Sequence, residues 1–164
     1  MTGSEQEALL SAVRQGVAQV LREQYEAMRQ TLAGLDTEAL NWSPGPEMNS
    51  IAVIFTHMLG AEDAITATVL GEPIERDREA EFRVRDVEPA QLAARVEQVE
   101  QRALDRIERL TAAQLEAFHT PPRDRLGRRF LGSWWIVHVL EHNREHIAQA
   151  GLTRQLYQQR ANHS

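Results

Sequence analysis

Four long stretches of this 164-residue chain repeat their apolar residues at steps of three and four, and that spacing commits most of it to helix. The first carries Leu9, Leu10, Val13, Val17, Val20, Leu21, Tyr25, Met28 and Leu32, with Gly34 placed to cap its end. The second follows Asn49 and Ser50, both favoured N-caps, and presents Ile51, Ile54, Phe55, Met58, Ile65 and Val69 before Gly71 and Pro73 stop it. The third starts near Pro89, a favoured first-turn residue, and runs through Leu92, Val96, Val99, Ala103, Ile107 and Leu110. The fourth begins around Ser133 and carries Trp135, Ile136, Val139, Leu140, Ile147 and Leu152. Aromatics are only 5%, which weakens any case for sheet. The expected fold is therefore all-α: a four-helix bundle forming one domain over residues 1–164.

Three connections separate these segments. Asp36 to Asn49 holds Pro44, Gly45 and Pro46, with room for a short helical turn after Thr37. Glu72 to Glu88 is charged and is expected to hold a brief extended piece at Phe82 to Val84. His119 to Gly132 contains Pro121, Pro122 and Gly127. Two of these loops are long for a simple up-and-down bundle, so at least one should cross a bundle end. A weak internal repeat points the same way. Gly34-Leu35-Asp36-Thr37 with Leu40 echoes Arg109-Leu110-Thr111 with Leu115, and each precedes a loop and then a histidine-bearing helix. Two helix pairs related by a pseudo-twofold axis would produce this.

Composition narrows the function. A net charge of -6 argues against a nucleic-acid partner, which needs a concentrated basic face; Arg123, Arg125, Arg128 and Arg129 read as a solvated loop. There are no cysteines, so disulfides, thiolate ligands and a protein-borne thiol nucleophile are excluded. Any thiol chemistry must use a small-molecule thiol. Met1 to Glu7 has no apolar core of a signal peptide, and no apolar run approaches the ~20 residues of a membrane span. A cytoplasmic protein without a membrane partner is the expectation.

The histidines carry the chemistry. His138, His142 and His146 lie four apart on one helix, which puts them on nearly the same face at ~6 Å intervals. Adjacent members can share one ion, whereas His138 and His146 are ~12 Å apart and cannot easily do so. Spacing leaves a tie between the two adjacent pairs. A third ligand is available in His57, at the edge of its helix's apolar stripe, where it faces another helix. His119 and His163 look incidental. The segment His142-Asn143-Arg144-Glu145-His146 matches the H-x-x-E-H pattern of inverted zinc peptidases, but no Asp or Glu follows Glu145 to complete that ligand set.

Asn49-Ser50-Ile51-Ala52 leading to His57-Met58-Leu59-Gly60-Ala61-Glu62-Asp63 resembles the second helix of the DinB/YfiT-like family, as does Trp42-Ser43-Pro44 ahead of it. The final helix, His138 through Gln149, resembles that family's histidine pair and its Arg-Gly-Gln-like tail. Here Ile147 and Ala148 replace the usual Arg and Gly, and Gln149 is kept. The resemblance implies that His57, His142 and His146 are metal ligands and that His138 becomes their neighbour. It also implies a four-helix bundle, often dimeric, in a family similar to bacillithiol and mycothiol S-transferases and thiol-dependent isomerases.

The expectation is a homodimer with one divalent ion, Zn or Ni first and Fe next, since imidazole-rich sites suit several such metals. Three neutral imidazoles would leave coordination positions open, giving a transferase that adds a low-molecular-weight thiol to an electrophilic small molecule. The alternatives are a metal-dependent hydrolase and a non-catalytic metal- or ligand-binding stress protein. Glu62, Glu145 and His138 are candidates to support the ligands or act as a base, although the simpler expectation for each glutamate is a solvated helix carboxylate.

Overall fold

The computed structural model describes residues 2–122 and 124–161, so Arg123 and His163 lie outside the described residues. Four long helices form: α1 (Gly3–Leu32), α3 (Ile51–Leu70), α5 (Pro89–Arg109) and α7 (Gly132–Ala161). Between them lie three short helices, α2 (Thr37–Asn41), α4 (Arg78–Glu81) and α6 (Ala112–Glu116), and a two-stranded antiparallel ribbon of β1 (Phe118–His119) and β2 (Phe130–Leu131).

Local chemistry fixes the helix starts. The Ser50 hydroxyl accepts from the Val53 backbone N–H at 3.2 Å, so Ser50 rather than Asn49 caps α3. Pro89 opens α5 at its first turn, where the missing N–H costs nothing. Asp36 caps α2 and Thr111 caps α6 in the same way. The two halves of the internal repeat thus share one plan: long helix, capped short helix, loop, long helix.

Cross-chain bonds define the packing. Gln24 bonds to the Leu140 carbonyl and Arg154 to the Gln30 and Thr31 carbonyls, so α1 and α7 run parallel. Asp63 meets Arg102 and Arg106 while Glu72 meets Arg106 and Arg109, so α3 and α5 also run parallel. Arg29 reaches Glu100 and Arg14 reaches the Leu110 carbonyl, which sets α1 antiparallel to α5. Each long helix packs on two others; α1 stands diagonally from α3, and α5 from α7. Both halves therefore cross a bundle end.

A parallel α3–α5 pair has a further consequence. A 20-residue helix is ~30 Å long, so the chain leaving α3 must travel back over that length before α5 can start. The segment Gly71–Glu88 makes that return and carries α4 along α3. The extended piece expected at Phe82 to Val84 is not there: Asp77 caps a helical turn instead, and Phe82 ends it in helical conformation. The β1–β2 ribbon also arises where only loop was expected. It frames the residues between Phe118 and Leu131, where the His119 backbone carbonyl accepts from the Trp135 indole at 3.0 Å while the His119 ring stays outside the group of converging histidines.

The core is built around α3. Leu21, Tyr25, Met28, Phe55, Leu59 and Trp135 are among its largest fully buried side chains. By length and composition α3 is apolar enough to cross a membrane, contrary to the expectation that no segment approaches that limit. Its position explains the composition: packed by α5 on one side, α7 on the other and α4 over a third, it has 78% of that stretch buried within the bundle.

Candidate metal centre

Antiparallel packing of α3 on α7 brings His57 opposite His142 and His146. One ring nitrogen from each lies within 4.8 Å of the other two. The ring centroids are 5.4 Å apart for His57–His142, 5.3 Å for His57–His146 and 4.4 Å for His142–His146. The two helix-neighbour nitrogens, Nε2 of His142 and Nε2 of His146, are 3.1 Å apart. Nitrogens bonded tetrahedrally to one ion at ~2.0–2.1 Å would lie a few tenths of an ångström farther apart than that.

The outward ring nitrogens show which atoms remain free. His57 Nδ1 lies 2.9 Å from Glu81 Oε2. Both Glu81 oxygens also accept from Arg76, each at 2.8 Å. Burial alone would push the Glu81 carboxyl up, but the bonds from His57 and Arg76 outweigh it and hold the group below the usual carboxylate range. A carboxylate only accepts, and its 2.9 Å contact is shorter than the 3.3 Å approach of Arg76 Nη2, a donor, to the same nitrogen, so the proton is assigned to Nδ1 of His57 and the lone pair to Nε2. The Gln149 amide oxygen does the same for His146, 2.9 Å from Nδ1. Burial lowers the imidazoles of His142 and His146; for His142, burial and then the neighbouring His146 and His57 push the pKa down to about 3. These rings are neutral near pH 7, the state a metal ligand requires.

Gly60 is part of this support. It lies one turn after His57, and a Cβ there would collide with Glu81 Oε1. Glu81 and Arg76 were missed in the sequence because nothing local distinguishes Glu81 from the other acids of its loop. The one available signal was Gly60, a glycine inside an otherwise strongly apolar helix.

The other candidates separate. His138 stacks on Trp134 with centroids 4.9 Å apart and lines the cleft beside His142, outside the group of three converging rings. Glu62 is fully buried, overturning its expectation as a solvated carboxylate. It accepts from the Tyr25 hydroxyl and from Asn143 Nδ2, both at 2.7 Å, and so ties α1, α3 and α7 together beneath the histidines. Burial raises its carboxyl to about 7 against the pull of those two bonds. Glu145 is exposed and lines a groove with Val137 and Leu140; it reaches His146 only through its charge.

Above the histidines opens a cleft of about 460 Å³, floored by His57 and His142 and walled by Ile65, Trp135, Arg76 and Arg128 among others. That volume suits a small molecule.

Residues 20–150 match the DinB superfamily. The chain belongs to that superfamily. Its fold recurs in a DinB-like protein from Bacillus cereus (17% identity, TM-score 0.69, covering 86% of this chain and 90% of that one). A conserved protein from Enterococcus faecalis is similar at 17% identity and TM-score 0.72, covering 88% and 96%. YfiT from Bacillus subtilis, described as a probable metal-dependent hydrolase with an unusual four-helix bundle topology, is similar at 15% identity and TM-score 0.67, covering 87% and 86%. At these identities the likeness carries the fold. No curated protein matches the sequence.

Proposed function

We propose that this DinB-superfamily chain is a metal-dependent enzyme in which His57, His142 and His146 hold one divalent ion, Zn or Ni, and that it transfers a small-molecule thiol to an electrophile bound in the cleft. The observation that carries this reading is the convergence of three imidazoles, two of which (His57 and His142) floor that cleft, while Glu81 and Gln149 bond the outward ring nitrogens of His57 and His146. An ion held there lowers the pKa of a bound thiol or water. The protein's part is to keep the rings neutral, fix their orientation and shape the space above them. Because the chain has no cysteine, the thiol comes from solution.

Water as the nucleophile is the second reading. It is favoured by His138, an uncoordinated imidazole at the cleft wall able to take a proton, and by the likeness to YfiT. Metal analysis of untagged protein, followed by assays of thiol conjugation and of ester hydrolysis, decides between them. Stoichiometric metal and conjugation lost in His57→Ala, His142→Ala and His146→Ala support the transferase. Hydrolysis without conjugation supports the second reading, metal without turnover a binding protein, and absence of metal removes all three.

A further inference from the structure

The wall of the cleft carries a charge pattern that the chemistry at its floor does not use. Among the described residues four arginines line it, Arg76, Arg78, Arg125 and Arg128, against one carboxylate, that of Asp124. In a chain of net charge -6 this reverses the sign locally. Two of the four are committed. Arg76 is locked onto Glu81, and Arg128 holds Asp124 through its guanidinium at 2.6 and 3.0 Å. The other two are not. Arg78 stacks on Phe82 and makes one long 3.4 Å bond to Glu79, itself a well-exposed side chain. Arg125 is exposed and has no hydrogen bond or ion pair among the described residues. The same cleft is lined by the apolar side chains of Ala61, Ile65, Leu126 and Trp135.

We infer that the cleft selects small molecules with an apolar body and an anionic head, the body against Ile65 and Trp135 and the head on Arg78 and Arg125. Guanidinium groups match carboxylate and phosphate oxygens in pairs, and a charged lining inside a concave, partly apolar wall concentrates the field on the entering anion. The two committed arginines contribute shape; Arg78 and Arg125 contribute recognition. This assignment rests on the cleft being the substrate site of the proposed enzyme, but it can be tested apart from that reading.

The test is calorimetric titration of phenylacetate, phenyl phosphate and the neutral 2-phenylethanol into chelator-treated and metal-loaded protein, alongside Arg125→Gln and the double variant with Arg78→Gln. The expected result is that the anions bind the metal-free protein more tightly than the alcohol. Their affinity should fall roughly tenfold in the double variant while the alcohol is unaffected. Phenylacetate against phenyl phosphate tells which head group fits better, and a preference for either supports the assignment. Equal binding of alcohol and anions, or anion binding indifferent to both arginines, overturns it. Anion selectivity in a protein that takes up no metal would keep this inference and remove the enzyme reading; metal uptake without selectivity would do the reverse.

Discussion

His57 can serve as a ligand only if one ring nitrogen is protonated outward and the other is bare, and that condition is met by a residue 24 positions away in sequence. Glu81 accepts from Nδ1, and Gly60 clears the space in which Glu81 lies. Two substitutions that touch no histidine should therefore act alike. Glu81→Gln removes the charge that orients and enriches the imidazole, and Gly60→Ala pushes the carboxylate away. Each is expected to weaken metal binding by about 10- to 100-fold, the usual cost of losing an outer partner of a metal-bound histidine, as read by competition with a chromogenic chelator. Unchanged affinity in both would show that Glu81 is only an ion-pair partner of Arg76. The sequence exposes one side of this arrangement. His57 is legible because it borders an apolar stripe; Glu81 is not, because its role comes from the path the return segment takes over α3, and the acids around it, Glu75 and Glu79, look the same on paper.

Elements were legible where periodicity is long, and their arrangement was not. The apolar stripes give α3 and α5 at both ends, the end of α1 and the start of α7 to within a residue or two, because burial of one face is written directly in the spacing; α1 starts at Gly3, ahead of Leu9, and α7 runs on past Leu152 to Ala161, where the stripes no longer mark the helix. Which helix stands beside which depends on partners distant in sequence, such as the Arg106 guanidinium. It joins the parallel pair through Asp63, Thr66 and Glu72 while only 6% exposed. Arg106→Ala takes one guanidinium from Asp63 and from Glu72, which keep Arg102 and Arg109, and should cost about 2 kcal/mol in denaturant unfolding, less than the ~3–5 kcal/mol of a buried pair broken outright. Glu62 does the corresponding work across α1, α3 and α7, with a pH signature. Its folded value of about 7 lies above the ordinary 4.5, so the folded protein keeps a proton that the unfolded chain releases between those limits. Stability from this group is complete below pH 4.5 and is lost as pH rises to about 7. Glu62→Gln should remove that decline. The change is accommodated because Asn143 Oδ1, buried without a partner, can accept from the new amide once Asn143 flips. The measurement is the difference between the two proteins' stabilities in chelator from pH 4 to pH 8. His142 contributes an opposite trend, its lowered value making stability rise with pH from about 3 to 6.5, but it is common to both proteins and cancels. A flat difference would show that Glu62 titrates normally.

For the whole molecule, the histidines sit at a seam between two halves. His57 belongs to the half made of α1, α2 and α3, and His142 and His146 to the half made of α5, α6 and α7. An ion bound by all three joins helices that the chain itself connects only through the long return segment and the loop after α6. It binds the folded state and not the dispersed histidines of the unfolded one, so it must stabilise the fold by mass action. At a thousandfold excess over Kd the gain is about 4 kcal/mol. For a domain of this size that corresponds to a rise in Tm of roughly 10 °C. Chelator should reverse the rise, and the midpoint should climb with the logarithm of free metal. His57→Ala should abolish the dependence although both α7 imidazoles remain, since a pair four apart on one helix binds that helix alone and ties nothing across the seam. His138→Ala should keep the dependence intact. A Tm that responds to metal as strongly in His57→Ala as in the parent would place the ion on α7 only, and the two halves would then be held by packing without any cation between them.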